Sequence, residues 1–246
     1  MLRTKTILII MWCVILEFPV TVYSQVIDGL LIEGLDYSGK TTIAKLVKNK
    51  LEERNYNVKT GHGQLAGSDL SRFLAFEAYD TLPAEIPTKF PDANFMEKYI
   101  KLKLSGLVVD KMLGNQKLED YKKQGVFLIQ DRYLLTLQCT KRFFTPNLDM
   151  PELKMIEEAY IPFKYNIYLT CSSSTRKKRV AARGKEPDRL EKYLIVHFNE
   201  LYKYDELCQS MVKEKPGWYV IDTSNTKPEE VANQILDLIE KVDTSK

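Results

Sequence analysis

The 246-residue chain contains few of the residues that form structural metal sites or disulfide frameworks. It has four cysteines and two histidines, and no Cys-x-x-Cys pair occurs. The absence of close Cys and His spacing argues against a structural zinc site. Cys13 lies near the N-terminus, and three cysteines follow it. An odd set of three does not resemble a disulfide framework, so a reducing compartment is favoured.

The chain also lacks a strong excess of charge of either sign. Its net charge is only +3, which gives no reason to expect nucleic-acid binding across the surface. Hydrophobic residues make up 44% and charged residues 28%, a composition typical of globular and not of disordered chains. The length suits one α/β domain with a full core.

The first 25 residues contain an interrupted apolar run and no complete membrane span. Arg3 and Lys5 precede this run, and it ends in a sequence that resembles a cleavage site, which is the layout of a secretory signal. Glu17 and Pro19 interrupt the run, which is shorter than the about 20 residues of a membrane-spanning helix. A signal or anchor and a spurious or organelle-directing extension both stay open.

Strand and helix patterns alternate from residue 26 to residue 246, without an internal repeat or a linker. The pattern predicts one α/β domain with a parallel sheet of about five strands and helices on both faces. The predicted strands are Ile27–Glu33, Tyr56–Thr60, Val126–Gln130, Tyr165–Thr170 and Trp218–Ile221. The predicted helices are Lys40–Arg54, Phe95–Gln124 (one helix, or two separated near Gly114), Ser172–Gly184, Arg189–Val212 and Pro228–Val242. Three prolines predict a loop over residues 80–92.

A phosphate-binding motif connects the first predicted strand to the first predicted helix. Its residues are Gly34-Leu35-Asp36-Tyr37-Ser38-Gly39-Lys40-Thr41-Thr42, and the first eight fit G-x-x-x-x-G-K-[ST]. Backbone N–H groups of such a loop and of the helix N-terminus bind the phosphates of ATP. We expect Lys40 to contact the β- and γ-phosphates and the Thr41 hydroxyl to hold Mg²⁺.

A basic segment favours a kinase over other classes of P-loop protein. No Asn-Lys-x-Asp sequence, the guanine-binding motif of many GTPases, occurs, and the chain is short for an oligomeric ATPase. The basic residues are Arg176, Lys177, Lys178, Arg179, Arg183, Lys185 and Arg189. Helical spacing places Arg176, Arg179 and Arg183 on one face, and Gly184 and Pro187 can act as hinges of a lid. Arg179 and Arg183 are the predicted transition-state arginines; a solvated basic surface is the alternative.

Four motifs in order resemble the thymidylate kinase family, from Val26 to the C-terminus. They are Leu31-Ile32-Glu33-Gly34-Leu35-Asp36 with the phosphate loop, Asp131-Arg132-Tyr133, Arg179–Glu191, and Val220-Ile221-Asp222. The resemblance implies a three-layer P-loop kinase fold, with ATP as phosphate donor and Mg²⁺ as cofactor. It also implies that Asp36 contacts the 3′-hydroxyl of the acceptor sugar and that Asp131 and Arg132 bind the acceptor. Local alternatives are a turn residue for Asp36 and a structural ion pair at Asp131.

The chain departs from the family pattern on the acceptor side and inside the phosphate loop. Residues 60–67 stand where family members carry an Arg-Glu-Pro-Gly-Gly type segment, and they contain no arginine. Arg72 lies where the family often has a helical arginine, so we predict an acceptor contact there. Tyr37 occupies the position of a catalytic arginine in some members, and other members place that arginine in the lid. His62 is a weaker substrate-contact candidate, and no role is predicted for His197.

Some aromatic residues permit two interpretations. Phe73 and Phe76 are predicted to pack in the core, with stacking on a base as the alternative. Tyr193, Phe198, Leu201 and Tyr202 form a stripe that predicts core packing.

The sequence therefore predicts a nucleoside monophosphate kinase that transfers the γ-phosphate of Mg·ATP to dTMP. Three alternatives stay open: a deoxynucleoside kinase, a kinase of another monophosphate, and a nucleotide-binding interaction protein without turnover. Nucleotides are the expected partners, nucleic acid is not, and homodimerisation stays open. A cytoplasmic or organellar location is expected. Secretion or membrane anchoring stays open because residues 1–24 resemble a signal, and membrane contact is expected only if the N-terminal apolar segment is retained.

Overall fold

The computed structural model describes residues 26–80, 93–158, 161–184 and 196–244. The strands are β1 (Ile27–Glu33), β2 (Asn57–His62), β3 (Val126–Asp131), β4 (Phe163–Thr170) and β5 (Trp218–Asp222). They form a sheet in the order β2-β3-β1-β4-β5, and every pairing is parallel. The parallel sheet of five strands is thus confirmed, although β2 begins and ends later than predicted.

Eight helices occur in the described residues. They are α1 (Lys40–Glu53), α2 (Asp69–Asp80), α3 (Ala93–Lys123), α4 (Leu134–Phe144), α5 (Pro151–Glu158), α6 (Ser173–Ala182), α7 (Phe198–Lys213) and α8 (Pro228–Thr244). The long helix α3 continues through Gly114. The packing of its apolar face outweighs the propensity deficit of one glycine, about 1 kcal/mol.

Two layers of helices cover the sheet because alternate residues of the central strand point to opposite faces. Leu30 and Ile32 of β1 pack in one apolar cluster with residues of α1 and α8. Leu31, between them, packs in a second cluster with residues of α3, α4 and α5. A third cluster joins α4 and α7 beside β4. The order helix, sheet, helix confirms the predicted three-layer α/β fold.

Three helices were absent from the sequence prediction, namely α2, α4 and α5. Helix α2 lies so close to α3 that a Cβ atom at Gly106 would come within 3.1 Å of the carbonyl oxygen of Ser71. The predicted helix 189–212 is found from Phe198 onward, and the predicted loop 80–92 lies almost entirely outside the described residues, as does the segment 1–25. No helix in the described ranges is long and apolar enough to cross a membrane.

Candidate active site

The phosphate loop connects β1 to α1 at the carboxyl edge of the sheet. Gly34 has φ 141°, and a Cβ atom there would collide with the carbonyl oxygen of Leu169. Gly39 has φ 98° and precedes the first helical residue. Helix α1 has no side-chain cap and no acidic residue in its first turn. Its first N–H groups therefore face the loop without a competing carboxylate, the arrangement that binds phosphate.

Lys40 is buried at the start of α1, and its Nζ atom donates a hydrogen bond to the carbonyl oxygen of Leu35 at 2.9 Å. Burial, together with the positive charge of Arg132, lowers the pKa of Lys40 to about 8, although nearby carboxylates oppose the shift. Thr41 and Thr42 expose their side chains at the same helix terminus. The predicted ATP-binding residues are thus adjacent and folded into one loop.

The two predicted acceptor motifs meet at this edge. Arg132, which follows β3, forms an ion pair with the carboxylate of Asp36 in the phosphate loop. Although burial by itself would raise it, the charges of Arg132 and Lys40 hold the pKa of Asp36 below its ordinary value. Asp131 lies 3.4 Å from Nδ1 of His62, which ends the neighbouring strand β2. The structure therefore brings Asp36, Asp131 and Arg132 together beside Lys40.

A buried glutamate, which the sequence analysis missed, fixes the position of Arg132. Glu33, at the end of β1, accepts hydrogen bonds from the backbone N–H of Tyr133 at 2.8 Å and from Oγ1 of Thr136 at 2.6 Å. Burial raises the pKa of Glu33, against the effect of these donors. Arg132 itself has φ 66°, and its backbone N–H donates to Ile32. These bonds hold Arg132 in a left-handed conformation that is unfavourable for a residue with a side chain.

Arg176 is part of the protein interior and not of a solvated basic face. Its side chain is only 3% exposed and forms an ion pair with the equally buried Asp205 at 2.8 Å. It also donates to the carbonyl oxygens of Asp36 and Cys171. Arg176 therefore connects the phosphate loop, β4 and α7. Lys177 and Lys178, on the opposite face of α6, are exposed.

The two predicted transition-state arginines both reach the phosphate loop, and they do so differently. Arg179 donates to the carbonyl oxygen of Tyr37 at 2.9 Å and to the hydroxyl and carbonyl oxygens of Thr223 at 2.9 and 2.7 Å. The guanidinium of Arg183 lies over the Tyr37 ring, 5.5 Å from its centroid, with a 3.4 Å bond to the ring hydroxyl. The shared helix face of Arg176, Arg179 and Arg183 is confirmed, whereas Lys185, Pro187 and Arg189 lie outside the described residues.

A cavity of about 450 Å³ opens beside the carboxyl ends of β2 and β3. Its polar lining includes His62, Arg72, Lys103 and Arg132, and its apolar lining includes Phe76 and Tyr133. The volume is within the range of small-molecule sites, about 300–1,000 Å³. Arg72, for which an acceptor contact is predicted, lines this cavity. Lys103 was missed because a lysine on a long helix has no sequence signal that separates it from a solvated one.

Two predictions of core packing are wrong in part. Phe76 is 67% exposed and lines the cavity, and Phe73 is 53% exposed. Tyr202 is 51% exposed, whereas Leu201 of the same stripe is buried. Tyr193 of that stripe lies outside the described residues. His197, for which no role was predicted, is buried just before α7.

A carboxylate holds the loop that lacks the family's arginine. Asp110 of α3 is 1% exposed and accepts hydrogen bonds from the successive N–H groups of Leu65, Ala66 and Gly67, at 2.6, 2.9 and 2.8 Å. Lys117 adds a bond to the carbonyl oxygen of Ala66 at 3.0 Å. Three neighbouring N–H groups that could bind an anion are thus occupied by an internal anion.

The residues present fit a magnesium ion that arrives with a nucleotide. Within the described ranges, no group of three or more His, Cys, Asp or Glu side chains could hold a metal ion by itself. The Thr41 hydroxyl is exposed, and Oδ1 of Asp131 is buried without a hydrogen-bond partner among the described residues. Hydroxyl and carboxylate oxygens are ligands of Mg²⁺, which completes its shell with phosphate oxygens and water.

No protein-family model matches the chain. The chain is, however, 30% identical over 222 residues to the thymidylate kinase of Mesoplasma florum, a match that covers 87% of this chain and 96% of that protein. The chain belongs to the thymidylate kinase family. It is therefore a phosphotransferase of the nucleoside monophosphate kinase class, which disfavours the interpretation as an interaction protein without turnover.

A solved structure supports the fold of this family member. The thymidylate kinase from Candida albicans superposes with a TM-score of 0.60 and covers 89% of this chain and 93% of its own. The two sequences are 17% identical, so this likeness concerns the fold alone. The thymidylate kinase fold thus carries the phosphate loop, the Asp36–Arg132 pair and the cavity described above.

Proposed function

We propose that the chain transfers the γ-phosphate of Mg·ATP to dTMP and forms dTDP and ADP. The observation that carries this proposal is the ion pair of Asp36 and Arg132 at the cavity. This ion pair joins a residue of the ATP loop to a residue of the cavity wall. A donor phosphate in the loop and an acceptor phosphate in the cavity would therefore lie next to each other. Phosphoryl transfer depends mainly on such positioning and on neutralisation of the charge of the moving group.

We assign each site residue a role from its position and from the resemblance to the family, which implies the contact of Asp36 to the sugar. The phosphate loop from Gly34 to Thr42 holds the phosphates of ATP, and Lys40 contacts the β- and γ-phosphates. Thr41, with the carboxylate of Asp131, would hold Mg²⁺, which neutralises phosphate charge when bound. Arg132 binds the acceptor phosphate, Asp36 the 3′-hydroxyl of the acceptor sugar, and Arg72 lies at the rim of the acceptor site.

Arg179 and Arg183 supply positive charge to the transferring group, which Tyr37 in the phosphate loop cannot supply. Arg179 is held in place by its bonds to Tyr37 and Thr223. Arg183 is exposed at the C-terminal end of α6, where its guanidinium contacts the ring and the hydroxyl of Tyr37. We assign to Arg183 the charge that turns toward a bound γ-phosphate. A guanidinium delivered in this way stabilises the transition state more than the ground state.

The test is an ADP-release screen of the purified full chain with ATP and Mg²⁺. The acceptors are dTMP, the other deoxynucleoside and ribonucleoside monophosphates, and thymidine. The monophosphates belong in the panel because the Candida albicans relative has broad substrate specificity. We expect dTMP to be the best acceptor and thymidine to be inert, since Arg132 requires a phosphate. Turnover of thymidine without turnover of dTMP would establish the deoxynucleoside kinase alternative.

A further inference from the structure

The acceptor side of the cavity lacks one cation that family members usually have. A nucleoside monophosphate carries a charge of about −1.5 to −2 at pH 7, and one arginine does not neutralise it. The loop 60–67 contributes no arginine. Its N–H groups at residues 65–67 are occupied by Asp110, so the loop cannot compensate with backbone donors there. Another element of the cavity must supply the second positive charge.

Lys103 of α3 has the position that this role requires. It lines the same cavity as Arg132, and its Nζ atom lies over the Tyr99 ring, 5.7 Å from the centroid. Burial, and then the charge of Arg132, lowers the pKa of Lys103 to about 8. Two cations that line one cavity and repel each other become favourable when a dianion lies between them.

The other cation of the cavity wall is less suited to this role. Arg72 has a side chain that is 60% exposed and lies 3.9 Å from Asp69 on the same helix. A contact from such an exposed side chain is weakened by solvent. Lys103 is less exposed and therefore binds an anion in a medium of lower effective dielectric constant.

We infer that Lys103 binds the acceptor phosphate together with Arg132, and that it replaces the arginine that the loop 60–67 lacks. This inference rests on the proposed function, because it requires an acceptor that carries a phosphate. It assigns phosphate binding to helix α3 and leaves loop 60–67 as a wall held by Asp110.

The experiment compares binding of dTMP and of thymidine to the full chain by titration calorimetry. The variants are Lys103→Met, Lys103→Arg and Arg72→Met, with Lys101→Met as the matched control. Lys101 lies on the same helix and pairs with Glu97 at the surface. We expect Lys103→Met to weaken dTMP binding by about 10- to 100-fold, the usual effect of losing a charged hydrogen bond. We expect thymidine binding to change by less than about twofold, since the nucleoside has no phosphate for Lys103 to contact. Lys103→Arg recovers most of the affinity for dTMP, and Lys101→Met behaves as the unaltered chain.

Three outcomes overturn the inference in a chain that phosphorylates dTMP. Lys103→Met leaves dTMP binding unchanged, it weakens dTMP and thymidine binding equally, or Arg72→Met alone produces the selective loss. Failure of the proposed function is seen separately, in the unaltered chain. If that chain phosphorylates another monophosphate, the same comparison is made with that monophosphate and its nucleoside. If it phosphorylates only nucleosides, both the proposed function and the inference are wrong.

Discussion

Replacement of Arg176 by methionine tests whether helix α6 is anchored in the protein interior. The guanidinium forms an ion pair with the carboxylate of Asp205, and the two side chains are only 3% and 4% exposed. Removal of one partner of a buried pair leaves an unpaired charge and destabilises by about 3–5 kcal/mol. Asp205 would keep the hydrogen bonds from Tyr168 at 2.6 Å and Thr170 at 2.8 Å. We therefore expect the lower end of that range, about 3 kcal/mol.

The measurement is urea unfolding at pH 7, followed by circular dichroism, together with thermal melting. For a chain of this size about 3 kcal/mol corresponds to a fall in Tm of roughly 6–12 °C. Lys178→Met is the matched control, since Lys178 is exposed on the same helix, and we expect it to change the free energy of unfolding by less than about 0.5 kcal/mol. The double variant Arg176→Met/Asp205→Leu, together with both single variants Arg176→Met and Asp205→Leu, gives the coupling energy of the pair, which should exceed about 1 kcal/mol. Equal stability of Arg176→Met and Lys178→Met would refute the reasoning, because it would show that the pair with Asp205 does not stabilise the fold.

Three further predictions concern the reaction itself. Lys40→Ala should lower turnover by two to three orders of magnitude, about 3–4 kcal/mol in the transition state, in a protein with an unchanged circular dichroism spectrum; normal turnover would contradict the assignment of the phosphate loop. Arg183→Ala should lower kcat by about 100- to 1,000-fold with little change in ATP affinity. Arg183→Lys should restore only part of the lost kcat. Arg179→Ala should lower kcat and also weaken ATP binding, because Arg179 holds the phosphate loop at Tyr37. Single-turnover phosphate transfer, measured together with an ATP titration, separates these effects. Normal transfer at saturating ATP in both alanine variants would show that these arginines bind ATP but do not act in the chemical step. Phe76→Ala should raise the KM for dTMP about tenfold through loss of base stacking, with Phe73→Ala as control; equal effects of both changes would argue against stacking.

Much of the donor site could be predicted from the sequence because its geometry is local. The glycines of the phosphate loop, the lysine after them and the start of α1 are consecutive, and Gly34 and Gly39 adopt the positive φ values that such a loop requires. The parallel sheet was predictable for the same reason, since apolar strands alternate with amphipathic helices. Asp131 and Arg132 could be found because they end a buried strand at the edge where ligands bind.

The remaining parts depend on contacts between residues that are distant in sequence. In the sequence, Glu33 is only the last residue of a strand. Its hydrogen bond from the backbone N–H of Tyr133, which fixes the position of Arg132, joins residues 100 positions apart. Arg176 reads as one of several cations, and its burial depends on Asp205 in another helix. Lys103 occupies a helical position where most lysines are solvated. Helices α2 and α4, with 12 and 11 residues, were missed although α6, with 10 residues, was predicted, and only α5, with eight, has too few residues to show a helical period.

The bonds between Asp110 and loop 60–67 limit how this cavity can be redesigned. An arginine-bearing loop of another family member, transplanted alone, would have to present three successive backbone N–H groups to the Asp110 carboxylate, as residues 65–67 do. That carboxylate is 1% exposed, so in a loop of another conformation it would be a desolvated anion without those donors, or would bind the new arginine and withdraw it from the substrate. A chimaera would therefore have to exchange the loop and the facing turn of α3 as one unit, with Asp110 replaced by an apolar residue.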